Sequence, residues 1–104
     1  MSEANLRAEA QIPTDNASKY LQQLCKHFQH KLPATFDPQA GQITFPLGET
    51  TLAADDQTLT IRLEAANGED MERLKDVVVR HLARFAFREE LDVQWRGPSA
   101  IGES

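Results

Sequence analysis

The residues Asn5-Leu6-Arg7-Ala8-Glu9-Ala10-Gln11-Ile12 alternate without a break, with Leu6, Ala8, Ala10 and Ile12 on one side and Asn5, Arg7, Glu9 and Gln11 on the other. A second run repeats the pattern: Leu59, Ile61, Leu63 and Ala65 point one way, and Thr58, Thr60, Arg62 and Glu64 the other. Successive side chains of an extended chain point to opposite faces, so each run predicts a strand with one apolar side and one wet side. No other feature constrains the fold as strongly. A sheet that is apolar on one face needs a second layer over that face. A chain of 104 residues is long enough for one such core, burying roughly 60–70% of its unfolded surface.

The covering layer is written in two helical stripes. Pro13-Thr14-Asp15-Asn16 breaks the first strand and offers Thr14, Asp15 and Asn16 as N-caps. A helix from Ala17 to about Lys31 follows, with Tyr20, Leu21, Leu24, Cys25, Phe28 and Leu32 in one stripe and Pro33 as its stop. A second helix opens at Asn67, carries Glu69, Asp70 and Glu72 near its start, and extends to about Arg88–Glu90. Its stripe is Met71, Leu74, Val78, Leu82 and Phe85. Between the helices, turn-rich segments separate extended pieces at Ala34–Phe36, Gln42–Phe45, Thr50–Ala54 and Leu59–Ala65. Leu91–Arg96 alternates again and predicts a last strand, and Gly97–Ser104 a flexible C-terminal tail. The expected architecture is α+β in two layers, an antiparallel sheet with two helices on one face, in the order β-α-β-β-β-β-α-β. It forms a single domain over 1–96 with a tail over 97–104. Phe28, Phe45, Leu63, Val78, Phe85 and Trp95 are its expected core.

Charge and cysteine usage narrow the function classes. Eleven Lys and Arg against sixteen Asp and Glu leave a formal charge of −5, against the basic surface that nucleic-acid binding needs. The expected outer sheet face (Arg7, Glu9, Gln11, Thr58, Thr60, Arg62, Glu64, Asp92, Gln94, Arg96) mixes both signs and has no aromatic stacking platform. No nucleic-acid partner is therefore expected. That open face suits a monomer or a homodimer formed through it. One cysteine, no apolar run long enough for a membrane span and no apolar signal core near Met1 make a cytoplasmic chain without membrane contact the expectation.

The acids are unevenly placed. From Leu47 to Asp76 there are eight, whereas Asn16–Phe36 holds Lys19, Lys26 and Lys31, with His27 and His30, and no acid. Such a basic strip suits an anionic group such as a carboxylate-rich chelate, a haem propionate or an acidic partner; a solvated helix face is the plain alternative. His27 and His30 are three apart and share a helix face, so both could reach one metal ion. Cys25 lies about 200° from His27 around the helix and faces the core, which spoils a ligand quartet and a nucleophilic role alike. His81 falls close to the second apolar stripe, as a part-buried imidazole with hydrogen-bonded ring nitrogens. With Arg84 or Arg88 it is also the candidate centre of a small enzyme. Glu89-Glu90 reads as a salt-bridged or solvated helix end. GxSxG, HExxH, Walker and GxGxxG motifs are all absent.

The segments Lys19-Tyr20-Leu21-Gln22-Gln23-Leu24-Cys25-Lys26-His27-Phe28-Gln29-His30-Lys31, Gly41-Gln42-Ile43-Thr44-Phe45-Pro46-Leu47-Gly48 and Arg80-His81-Leu82-Ala83-Arg84-Phe85-Ala86-Phe87-Arg88-Glu89-Glu90-Leu91 resemble the bacterial domain-of-unknown-function family 2218. The resemblance runs from about Ala8 to Trp95. Position 50, often Cys in that family, is Thr50 here, so no two-cysteine chemistry carries over. The family's association with siderophore-interacting flavin reductases implies an accessory role in iron or siderophore use, with such a reductase as a possible partner and iron or haem as a possible cofactor. The element order is also similar to the TATA-binding-protein-like fold, which by itself carries no function. Three functions stay open: a non-enzymatic accessory or binding domain, a metal- or haem-binding module using His27 and His30, and a small enzyme acting on an iron chelate. The candidate ligand-binding residues are Lys26, His27, His30, Lys31, His81, Arg84 and Arg88.

Overall fold

The computed structural model describes residues 6–100, the last three by their backbone alone. Asn5 and residues 101–104 of the expected tail lie outside the described residues. Eight elements follow in the expected order: β1 (Leu6–Pro13), α1 (Ala17–Gln29), β2 (Ala34–Phe36), β3 (Ala40–Phe45), β4 (Gly48–Ala54), β5 (Thr58–Ala65), α2 (Gly68–Phe85) and β6 (Trp95–Ala100). The strands form one antiparallel sheet in the order β2-β3-β4-β5-β1-β6. No helix among the described residues is long and apolar enough to cross a membrane.

The two alternating runs become neighbours. β1 pairs with β5 from Leu6↔Ala65 to Pro13↔Thr58, so Ala8, Ala10 and Ile12 lie beside Leu63, Ile61 and Leu59 on one face, all buried. The opposite face carries the charges in cross-strand pairs: Arg7 with Glu64 at 3.5 Å and Arg62 with Glu9 at 3.0 Å. Both helices pack on the apolar face. Tyr20, Leu21, Leu24, Cys25 and Phe28 of α1, and Met71, Leu74, Val78 and Leu82 of α2, are buried there. Asn67 caps α2 as expected, its side chain accepting from the Asp70 N–H at 2.8 Å.

Asp residues shape two of the sheet's turns. Asp37 Oδ1 accepts from the backbone of Gln39 and Ala40, and Asp55 Oδ1 from that of Gln57 and Thr58, at 2.7–2.9 Å. At the start of β4 the chain passes so close to β5 that a Cβ on Gly48 would stand 2.0 Å from the Glu64 carbonyl oxygen.

Four expectations are corrected. The final strand is β6 at Trp95–Ala100 rather than Leu91–Arg96, so part of the expected tail belongs to the sheet. Leu91 and Val93 do alternate, half-buried, with exposed Asp92 and Gln94, but without backbone pairing. Regular pairing begins at Trp95↔Ala10, and a bulge interrupts it between Arg7 and Glu9. Gly97, opposite that bulge, has φ 96°, a value that favours glycine. α1 ends at Gln29, two residues early, where Lys31 and Leu32 both donate to the Phe28 carbonyl. α2 ends at Phe85, because Ala86 leaves helical geometry and the chain turns through Glu89 N–H to Ala86 O. Finally, Phe85, the last residue of α2, and Trp95, the first of the edge strand β6, pack against the core only half-buried.

Two outcomes check this packing. Leu82→Ala should cost about 2–5 kcal/mol in denaturant unfolding, and Phe85→Ala clearly less, because part of its ring is already wet. Thr50 is 1% exposed on β4 and its hydroxyl has no hydrogen-bond partner among the described residues. Thr50→Val should therefore raise stability by about 1 kcal/mol, since an unsatisfied buried hydroxyl costs roughly 1–3 kcal/mol. A drop in melting temperature would contradict that placement.

Candidate functional site

α1 and α2 lie side by side on the sheet, and their C-terminal halves meet through rings. His27 packs at 5.0 Å from Phe28, 5.1 Å from His81 and 5.8 Å from Phe85, measured between ring centroids. Phe28 in turn contacts Phe45 at 4.9 Å and His81 at 4.8 Å, tying the group to the sheet. His81 Nδ1 lies 2.8 Å from the Val77 carbonyl. A carbonyl only accepts, so neutral His81 carries its proton on Nδ1 and keeps a lone pair on Nε2.

Charge gathers around these rings. Lys26, His27, His30, Lys31 and Arg84 are all exposed. Lys26 and His27 occupy the last turn of α1, where the helix dipole favours positive charge. His27 titrates below its ordinary value, first because packing partly desolvates it, then because His81, Arg84, Lys31 and His30 place positive charge near it. A shallow groove of about 310 Å³ runs between Gln23, Lys26, His27, His30 and Phe85. The fold thus brings together Lys26, His27 and His30, with His81, Lys31 and Arg84 close enough to act on His27. Arg88 is not among the groove residues; its guanidinium lies 5.4 Å over the Phe87 ring. Cys25 is fully buried, and burial pushes its thiol up to about 11. His27 and His30 supply two nitrogens, short of the three or four ligands of a resident metal site. Among the described residues no group of three His, Cys, Asp or Glu side chains is placed to hold an ion.

A second polar centre lies outside the candidate residues that the sequence singles out. Glu89, expected at a solvated or salt-bridged helix end, is only half-exposed and forms no ion pair among the described residues. Its Oε1 accepts from Thr14 Oγ1 at 2.9 Å, and its Oε2 accepts from Asn16 Nδ2 at 2.7 Å and from the Tyr20 hydroxyl. Thr14 Oγ1 also lies 3.2 Å from Oε2. These donors, Tyr20 first and Asn16 second, hold the Glu89 carboxyl below its ordinary range. Asn16 occupies the N-cap position of α1, yet its side chain caps nothing and goes to Glu89 instead. The first turn of α1 has no acid of its own, so Glu89 supplies the anion that a helix N-terminus favours. Two features hint at this contact: that acid-free first turn, and a tyrosine on the buried stripe whose hydroxyl needs a partner.

Comparison with known proteins covers both centres. The family model for an uncharacterized protein conserved in bacteria (DUF2218) matches residues 9–96. The NMR structure of PA4090 from Pseudomonas aeruginosa is similar over 89% of this chain and 97% of that chain, with 28% identity and a TM-score of 0.76. No curated protein matches the chain.

Removing the Glu89 carboxylate should loosen the junction it makes. Its folded-state pKa is depressed, so its contribution to stability is complete above the ordinary carboxylate value, about 4.3, and is lost as pH falls through the lower folded value. Glu89→Ala should cost about 1–3 kcal/mol at neutral pH by orphaning the Tyr20 hydroxyl. The gap from the wild type should close in acid. A pH series of urea melts checks this, and an equal gap at pH 7 and in strong acid would contradict it.

Proposed function

The chain belongs to the DUF2218 family of proteins conserved in bacteria, and from that membership and the inter-helix patch we propose a non-enzymatic binding domain that takes an anionic ligand between α1 and α2. One observation carries this: on a chain of net charge −5, Lys26, His27 and His30 line a groove with the half-exposed Phe85 ring, and Lys31 and Arg84 add positive charge near His27. A ring beside cations suits an anion with a flat or apolar part. Catalysis is poorly supported there. The thiol is buried with a raised pKa, and one His81 nitrogen is committed to the Val77 carbonyl.

The resemblance to proteins associated with siderophore-interacting flavin reductases supports a carboxylate-rich ferric chelate as the ligand. It supports such a reductase as the partner that consumes it. On this view iron reaches the protein as cargo within the chelate. A metal- or haem-binding module is the second reading, favoured by His27 and His30 lining one groove. His27 and His30 would then supply two of the ligands at most, the others coming with the iron or haem, and Lys26 or Lys31 would face the anionic groups.

Ferric citrate is the test ligand, followed by amide NMR shifts at His27, His30 and Phe85. Binding should saturate and weaken by about tenfold for each lost contact worth ~1.4 kcal/mol in the series Lys26→Ala, Lys31→Ala and Arg84→Ala. An anion stabilises protonated His27 and so raises its depressed pKa. Binding should therefore take up a proton, and affinity should rise as pH falls from about 7 toward 5.5. His27→Gln should flatten that dependence. Unchanged affinity across the cation variants would remove the proposal; binding of zinc or haem lost only in His27→Ala/His30→Ala would favour the second reading.

A further inference from the structure

At ~100° per residue, Val79, Ala83 and Ala86 lie on the flank of α2 opposite His81 and Phe85. The chain after α2 folds back along that flank and borders a half-open pocket of about 290 Å³. Its walls are Val79, Leu82, Ala83 and Ala86 from the helix side, with Leu91 and Val93 from the returning segment. Phe87, 74% exposed and the only large exposed hydrophobic residue among the described residues, also lines it. Half-buried Leu91 and Val93 have no strand pairing; they pack against the core and also line this pocket.

The pocket has one charged lining residue, Glu89. Every hydrogen bond it accepts comes from an uncharged donor: Thr14, Asn16 or Tyr20. Among the described residues those bonds crowd Oε2, whereas Oε1 accepts only from Thr14. Each carboxylate oxygen offers about two acceptor positions, so Oε1 keeps one open. The charge is also incompletely balanced. The N-terminus of α1 offsets about half a unit, while the C-terminal end of α2 adds partial negative charge from the other side. Lys19 acts on Glu89 only at a distance, and Arg88 holds its guanidinium over Phe87.

A half-open pocket lined mainly by apolar side chains, with a single fixed carboxylate that has no ion-pair partner among the described residues, selects a ligand of matching shape and charge. An apolar cavity of roughly 150 Å³ suffices for benzene, so this one has room for a ring or a short aliphatic chain with a polar head. We propose that this pocket is a binding site for a small organic ammonium compound, its apolar body between Ala83, Ala86, Leu91 and Val93 and its N–H donated to Glu89 Oε1. Glu89 then serves two purposes: it joins the end of α2 to the start of α1, and it presents its remaining acceptor to the ligand. The site is separate from the anion patch and does not rest on it.

Phenethylammonium chloride is the probe, with 2-phenylethanol and phenylacetate as matched arms, titrated into the full chain and followed by amide NMR. Shifts at Ala83, Ala86, Leu91 and Val93 should saturate with the ammonium compound. They should require about tenfold more of the alcohol, and be absent with the carboxylate. Ala83→Leu fills the pocket without touching the Thr14, Asn16 and Tyr20 bonds, and should abolish binding. Glu89→Gln keeps an acceptor for Tyr20 while removing the charge, and should erase the preference for ammonium over alcohol. Equal affinity for ammonium and alcohol in the wild type, no saturable shift, or undiminished binding in Ala83→Leu would each overturn the proposal. Should Glu89→Gln fail to fold, the alcohol arm and Ala83→Leu decide alone. Ferric citrate should move different amides, at His27 and Phe85, so failure at one site is distinguishable from failure at the other.

Discussion

Pairing of β1 with β5 is the contact on which the rest of the structure depends. It places the first strand between β5 and β6 instead of at an edge, and that insertion dictates both helical crossings. α1 must carry the chain from β1 across the sheet to β2 at the far edge, and α2 must carry it from β5 over β1 to β6. The register fixes which face they cross. A shift of one residue would turn Ala8, Ala10 and Ile12 toward water and bring Arg7, Glu9 and Gln11 under the helices. Two helices confined to one face of a six-stranded sheet become neighbours, and so His27 and Phe28 meet His81 and Phe85.

Glu89 makes the second long connection. α1 begins without an acid or a side-chain cap, a weak start for a helix that must hold Tyr20 and Leu21 against the sheet. The turn after α2 delivers a carboxylate to that end, and three side chains from two turns of chain converge on it. Because the same turn also ends α2, the length of the second helix and the start of the first are set together. The segment that carries Glu89 back also lays Leu91 and Val93 against α2, so the pocket is a by-product of this closure as well as a candidate site.

What the sequence reveals divides along the range of the interactions. β1, β5 and the buried faces of both helices are local periodicities, legible wherever side-chain direction follows from residue spacing. The Asp turns are equally local, one carboxylate bonding the backbone two or three residues on. β6 is not legible in this way. Leu91 and Val93 alternate as a strand would, yet pack on α2 without a partner strand, while Gly97 and Pro98 conceal a strand within an apparent tail. Phe85 shows a subtler limit. Its angular position on the stripe is correct, but the stripe's edge meets the groove between helices instead of the sheet. The histidines can be assigned to a face but not to each other: the His27 ring packs tilted against that of His81, 54 residues away, a pairing that spacing along the chain does not reveal. The acid-free start of α1 and Tyr20 call for a partner, but Glu89 is not identifiable as that partner because it lies 69 to 75 residues further along the chain.

The net charge of −5 therefore describes the molecule poorly at the scale on which ligands bind. Charges more than about 8–10 Å apart are largely screened at physiological salt, so an incoming group responds to its nearest few side chains. On one flank of α2 it meets Lys26, His27, His30 and Arg84; on the other it meets Glu89 with no cation in contact. The helix between them presents opposite local fields on its two sides. Each field is fixed by a different tertiary contact, the ring cluster on one side and the Thr14–Asn16–Tyr20 donors on the other. Long-range attraction would favour cations everywhere on this acidic chain. Selection of an anion between the helices therefore has to come from close contact, with Phe85 and the imidazoles supplying the apolar and titratable surfaces that point charges alone cannot.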